Sequence, residues 1–81
     1  MNFDNLTEKI NAALKDLDIF VDKIEYVKKG KYNFLEVTLD KVGGIDLDGI
    51  VEATRIVNPI VDAENFTEDS YILDVSSKER G

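Results

Sequence analysis

Apolar residues in this chain change their spacing three times along its length, and that succession narrows the choice of fold more than any single motif does. They recur at three- and four-residue steps at the start, at every second residue through the next stretch, at helical steps again after a Gly-Gly pair, and at every second residue near the end. A surface helix buries one stripe and a half-exposed strand buries one face, so the pattern itself orders the elements as α-β-β-α-β.

Phe3, Leu6, Ile10, Ala13, Leu14 and Leu17 form the first stripe and predict a helix over residues 4–18. Asn2, Asp4 or Asn5 can cap it, and Asn5 with Glu8 resembles a capping box. Over residues 19–29 Phe20, Ile24 and Tyr26 fall on one face, with Lys23, Glu25 and Lys29 on the other. The turn residues Gly30 and Asn33 then separate this strand from a second, in which Leu35, Val37 and Leu39 alternate with Glu36, Thr38 and Asp40.

Gly43 and Gly44 can take positive φ angles, and Asp46 can cap a second helix that turns Leu47, Ile50, Val51, Thr54, Val57 and Val61 inward. Pro59 cannot donate to the carbonyl four residues back, which predicts a kink or an end near Val57 and a restart capped by Asn58. Residues 62–70 are acidic apart from Ala63 and Phe66 and read as a loop; Tyr71, Leu73 and Val75 then alternate with Ile72, Asp74 and Ser76 in a third strand. The expected architecture is α+β, with two helices packed on one face of a three-stranded sheet. Phe20, Ile24, Leu35, Val37, Leu39, Leu73 and Val75 would meet the helices, leaving Val21, Val27, Phe34 and Ile72 on the opposite face.

Composition sets the limits of function. At 81 residues and 43% apolar content the chain supports one small core. With no Cys and no His it lacks thiol nucleophiles, Ser-His-Asp chemistry, zinc sites of the usual ligands and disulfides, so no catalytic residue, metal or cofactor is expected. Its apolar runs are far too short to cross a bilayer, and a reducing, cytoplasmic setting is expected, with the chain a monomer. A net charge of −7 repels nucleic-acid phosphates and anionic lipid and favours a cationic partner.

Individual motifs add less. Aligning Asp46-Leu47-Asp48-Gly49 to a calcium loop puts Gly44 at the first ligand and Arg55 where a bidentate Glu is needed, so calcium is rejected. Gly43-Gly44 is followed by Ile45, Asp46 and Asp48 rather than by Lys-Ser/Thr, which argues for a turn and against a phosphate cradle. Lys28, Lys29 and Lys31 beside Tyr32 make a basic hairpin tip that either touches RNA or simply keeps the sheet soluble.

Four segments in register resemble the N-terminal domain of the ribosome maturation factor RimP family, bacterial assembly factors of the small ribosomal subunit. Val21-Asp22-Lys23-Ile24-Glu25-Tyr26-Val27 is similar to the family's first strand. Leu39-Asp40-Lys41 with Gly43-Gly44-Ile45 resembles its second-strand exit, Leu47-Asp48 its helix start, and Tyr71-Ile72-Leu73-Asp74-Val75-Ser76-Ser77 its closing strand and double serine. The resemblance covers residues 22–77. The family commonly continues with Pro-Gly, where this chain has Lys78-Glu79-Arg80-Gly81, and its second, SH3-like barrel domain is not in this sequence. The expected organisation is a domain over residues 1–77 and a tail over 78–81 that begins a linker to that barrel.

The resemblance implies a maturation factor that acts without covalent chemistry, docking transiently on immature small subunits. Joined to the charge argument, it points to a basic ribosomal protein as partner, met by Asp40, Asp46 and Asp48 near the glycine turn, with Phe34 and Ile72 as apolar contacts. Two alternatives stand beside it. One is direct contact with ribosomal RNA through Lys28, Lys29, Lys31 and Tyr32; the other is bracing of the missing barrel through Phe34 and Ile72, with Ser76 and Ser77 as the hinge.

Overall fold

A computed structural model describes residues 2–78, in which helix α1 (Asp4–Leu14) runs through a 3₁₀ turn (Lys15–Leu17) into strand β1 (Phe20–Lys29). Strand β2 (Tyr32–Asp40), helix α2 (Leu47–Glu64) and strand β3 (Ile72–Ser77) follow, giving the expected α-β-β-α-β order. The sheet order is β1-β2-β3, antiparallel between β1 and β2 and parallel between β2 and β3. A parallel return needs a crossover, and α2 supplies it. Both helices pack on one face, with α1 against β1 and α2 against β3. Of the expected tail, the residues beyond Lys78 lie outside the described residues.

Leu6, Ile10 and Leu14 of α1, Leu35, Val37 and Leu39 of β2, and Ala53, Val57 and Val61 of α2 are almost fully buried and form the core. Each set keeps the period of its element, four residues in the helices and two in the strand, and all of these residues except Ala53 are among those the sequence places inward. Phe66, in the acidic loop, closes one end of this core: its ring lies 5.7 Å from Phe3, 5.4 Å from Tyr26 and 5.0 Å from Tyr71.

Several local expectations are corrected. The register of β1 on β2 slips between Val21 and Lys23, a bulge at Asp22 that reverses the parity of everything before it. Val21 therefore stands opposite Leu39 and packs on the core, while Phe20, opposite Asp40, turns to the open face and is 43% exposed. Asn11 Oδ1 accepts a 2.7 Å hydrogen bond from the Val21 N–H and so anchors the bulge to α1. No Asn5–Glu8 box forms; Asn2 Oδ1 accepts from the Asp4 N–H instead, at 2.8 Å. Ala13 is exposed, beside α2 rather than under it.

The second helix does not end at Val57. It continues without interruption through Pro59 to Glu64, because Val57 and Val61, on the turns either side, are both buried and hold those turns against the sheet. Its N-terminus is capped as expected, Asp46 Oδ1 accepting from the Gly49 N–H at 2.7 Å. Leu47 and Val51, expected inward, are 79% and 51% exposed; the buried stripe is Ala53, Val57 and Val61.

Candidate docking surfaces

The residues singled out by sequence do not form one site. Asp40, Asp46 and Asp48 gather at the end of the molecule where β2 stops, α2 starts and β3 finishes, since Leu39 is paired with Ser77. Phe34 and Ile72 pair with each other six residues back along β2, about 20 Å away at the usual strand rise. They lie on the sheet face opposite the helices.

At the first end the three acids differ in availability. Asp40 is only 9% exposed, and one of its carboxylate oxygens accepts from the Lys41 N–H at 2.8 Å. Asp46 is exposed but carries the helix cap, and Gly49 beneath it has no room for a Cβ, which would sit 2.9 Å from Ile45 Cγ2 and 3.0 Å from Asp46 Oδ1. Asp48, in the first turn of α2, is exposed and without such a task. Between β2 and α2 the Gly44 N–H donates to the Lys41 carbonyl at 2.8 Å, a turn that Gly43 and Gly44 make with φ of 87° and 92°.

At the hairpin tip Lys29 is already engaged. Its ammonium lies 2.9 Å from Glu36 Oε2 and 5.7 Å from the centre of the Phe34 ring, and the hydrogen bond and charge of Glu36 hold its pKa above the ordinary lysine value. Lys28 and Lys31 have no ion pair among the described residues, and Tyr32 beside them is 61% exposed. Three of the four residues proposed for RNA contact are therefore available.

The open face is laid out in rows across the strands. Val27, Phe34 and Ile72 make an apolar row; Glu25, Glu36 and Asp74 make a carboxylate row next to it; Lys23, Thr38 and Ser76 follow. Carboxylates directly opposite one another repel, and here lysines offset the repulsion: Lys23 bonds Glu25 at 3.0 Å as Lys29 bonds Glu36. Lys78 reaches across β2 to Asp22 at 3.3 Å, tying the end of β3 to the bulge. Ser76 and Ser77 are the last two residues of β3, opposite Thr38 and Leu39.

This layout separates the charges. From Asp46 through Ser70, α2 and its flanking segments carry seven acids against the single Arg55, whereas the sheet, its hairpin and Lys41 and Lys78 carry six lysines against five acids. The negative field of the chain thus comes from its helix layer. That segregation was invisible without the layer assignment, as was the exposed pair Leu47 and Val51, whose only signal in the sequence was an apolar stripe wider than one core needs.

Among the described residues no cluster of His, Cys, Asp and Glu could hold a metal ion, and no helix is long and apolar enough to cross a membrane. The family model of the RimP N-terminal domain matches residues 9–78, which takes in every element from the middle of α1 to the end of β3. The chain belongs to the RimP N-terminal domain family, whose role lies in ribosome maturation.

Proposed function

We propose that this domain docks reversibly on immature small ribosomal subunits through the acidic helix layer, against a basic ribosomal protein, and promotes maturation without covalent chemistry. The observation that carries this reading is the segregation of charge, seven acids to one Arg over α2 and its flanks. A surface of that sign repels RNA phosphates and steers toward lysine- and arginine-rich protein. Asp48 and Glu52 are its exposed members nearest the glycine turn; Glu52 pairs with Arg55, 3.6 Å away on the same helix. Asp40 and Asp46 sit beside them, the first supporting the turn and the second the helix start.

Co-sedimentation of the chain with free small subunits across a salt series tests the reading. Binding should weaken steeply as the screening length falls from about 30 Å to about 8 Å. The double variant Asp48→Asn, Glu52→Gln should bind several-fold more weakly while its far-UV circular dichroism spectrum stays that of the parent. Salt-independent binding, or an unaffected double variant, would overturn it.

A second reading uses the other end. Lys31, unpaired among the described residues, adjoins the exposed Tyr32 at the hairpin tip, while Lys28, opposite Asn33, extends from the other face of the same hairpin; together they offer two cations and a stacking ring at that end of the molecule. Replacing both lysines with Gln should abolish crosslinking to ribosomal RNA if the tip makes that contact, and an unchanged crosslink removes it.

A further inference from the structure

The sheet has two edges, and they are built differently. β1 carries the bulge at Asp22, has the Val21 N–H occupied by Asn11, and bears Lys23, Lys28 and Lys29. Bulges and edge lysines of this kind discourage pairing with another chain. β3 has none of these features: its register on β2 is continuous from Ile72 to Ser77, with neither Lys nor Pro in it.

The unpaired groups on that edge can be named. The Lys78 N–H donates to the Leu39 carbonyl at 2.7 Å. Main-chain groups of a strand point alternately to either side, so Asp74, Ser76 and Lys78 turn theirs toward β2, and Leu73, Val75 and Ser77 turn theirs away. Among the described residues no strand lies on that side.

Above it the helix layer is incomplete. The buried stripe of α2, Ala53, Val57 and Val61, faces the sheet, and Pro59, Ile60 and Ala63 face α1 across a groove shared with Ala12 and Ala13. At 100° per residue, Leu47 and Val51 fall on the opposite flank, away from α1 and over the outer side of β3. Both are exposed, and Leu73 and Val75 on the facing side of β3 are only half-buried. Asp62 lies on the same flank of α2, and Asp74 points to the open face of the sheet.

We propose that the outer edge of β3 accepts a fourth strand, an extended segment of a basic protein partner in which apolar and cationic residues alternate. Its main chain pairs with Leu73, Val75 and Ser77; its apolar side chains fill the space under Leu47 and Val51; its cations meet Asp74 on the open face. A second copy of this chain is the poorer occupant, since it brings another net charge of −7 and no lysine within β3 to answer Asp74. The inference deepens the docking reading and rests on it for the identity of the partner as a protein of the small subunit.

Amide hydrogen exchange, read residue by residue by NMR on the whole chain, tests it. The probe is a capped peptide alternating lysine and valine, about eight residues long so as to span β3, with an alternating glutamate–valine peptide as control. The lysine peptide should slow exchange at Leu73, Val75 and Ser77, and the glutamate peptide should not. Ser77→Pro removes one outward donor and should weaken binding about threefold to tenfold. Asp74→Lys, on the exposed face and without consequence for the core, should weaken the lysine peptide and strengthen the glutamate one. Unchanged exchange at the three amides under saturating peptide overturns the proposal, as does their protection in the peptide-free chain together with dimeric sedimentation. A chain that co-sediments with small subunits but shows no protection overturns the edge alone; protection without co-sedimentation overturns the docking reading and leaves the edge standing.

Discussion

Replacing Pro59 with Ala should stabilise this domain. An unbroken α2 carries Pro59 in its interior, five residues short of Glu64, where the ring removes the hydrogen bond to the Arg55 carbonyl and crowds it. Pro is about 3 kcal/mol less favourable than Ala at such a position. Against this, Ala restores about 0.4–1 kcal/mol of entropy to the unfolded chain. The ring also contributes to the groove facing Ala12 and Ala13, and its loss exposes a little more apolar surface. The net gain is about 2 kcal/mol, which for a domain of this size raises the melting temperature by about 8–16 °C. Thermal and guanidinium unfolding followed by far-UV circular dichroism measure it. Asn58→Ala supplies the control. In a continuous helix that exposed position gains a few tenths of a kcal/mol from Ala, about 0.5 at most. If Asn58 instead capped a separate second segment, the same change would cost about 1 kcal/mol. A Pro59→Ala chain no more stable than its parent, with Asn58→Ala destabilised, would refute the continuous helix.

Three further outcomes are expected. Asp46→Ala, which deletes the acceptor of the Gly49 N–H, should lower stability by about 1 kcal/mol in the same unfolding assay, while Asp46→Asn should be nearly neutral. Leu35→Ala, at a fully buried position in the central strand, should cost about 2–5 kcal/mol, enough to leave a small domain largely unfolded at 37 °C by circular dichroism. Burial, with smaller contributions from Asp62 and Tyr26, raises the Tyr71 pKa above its ordinary 10.0, so the folded state holds that proton more tightly than the unfolded one. Stability from this source is full below pH 10.0 and is lost as pH rises through the folded value, so Tyr71→Phe should flatten the alkaline fall in melting temperature.

The core was legible because its residues obey one period each. Leu6, Ile10 and Leu14 repeat at four, as do Val57 and Val61, and Leu35, Val37 and Leu39 repeat at two; Ala53 completes the α2 stripe, where the sequence points instead to the half-buried Ile50 and Thr54. The misread places are those where two readings share one pattern. Ile19, Phe20 and Val21 are all apolar, so parity alone cannot say which faces inward, and the bulge at Asp22 decides it. Pro59 is locally a helix breaker, but the burial of Val57 and Val61 around it is a tertiary fact that no local rule contains. Leu47 and Val51 continue the helical stripe, yet the sheet beneath is too narrow to cover them.

That narrowness follows from the topology. β3 runs parallel to β2 and lies outside it, so it is at once the last strand and an edge, and α2 overhangs it because the crossover helix must lead back to it. No spacing rule assigns strand order, so the acids of α2 and the lysines of the sheet read only as a mixed, net-negative chain until the layers separate them. Once separated, the faces ask for different partners. The helix layer recognises charge through side chains and should respond to salt, whereas the β3 edge recognises extended backbone and should respond to a single proline. A partner that engages both must be basic and carry an extended segment, and the salt series and the Ser77→Pro variant together tell whether one molecule meets both demands.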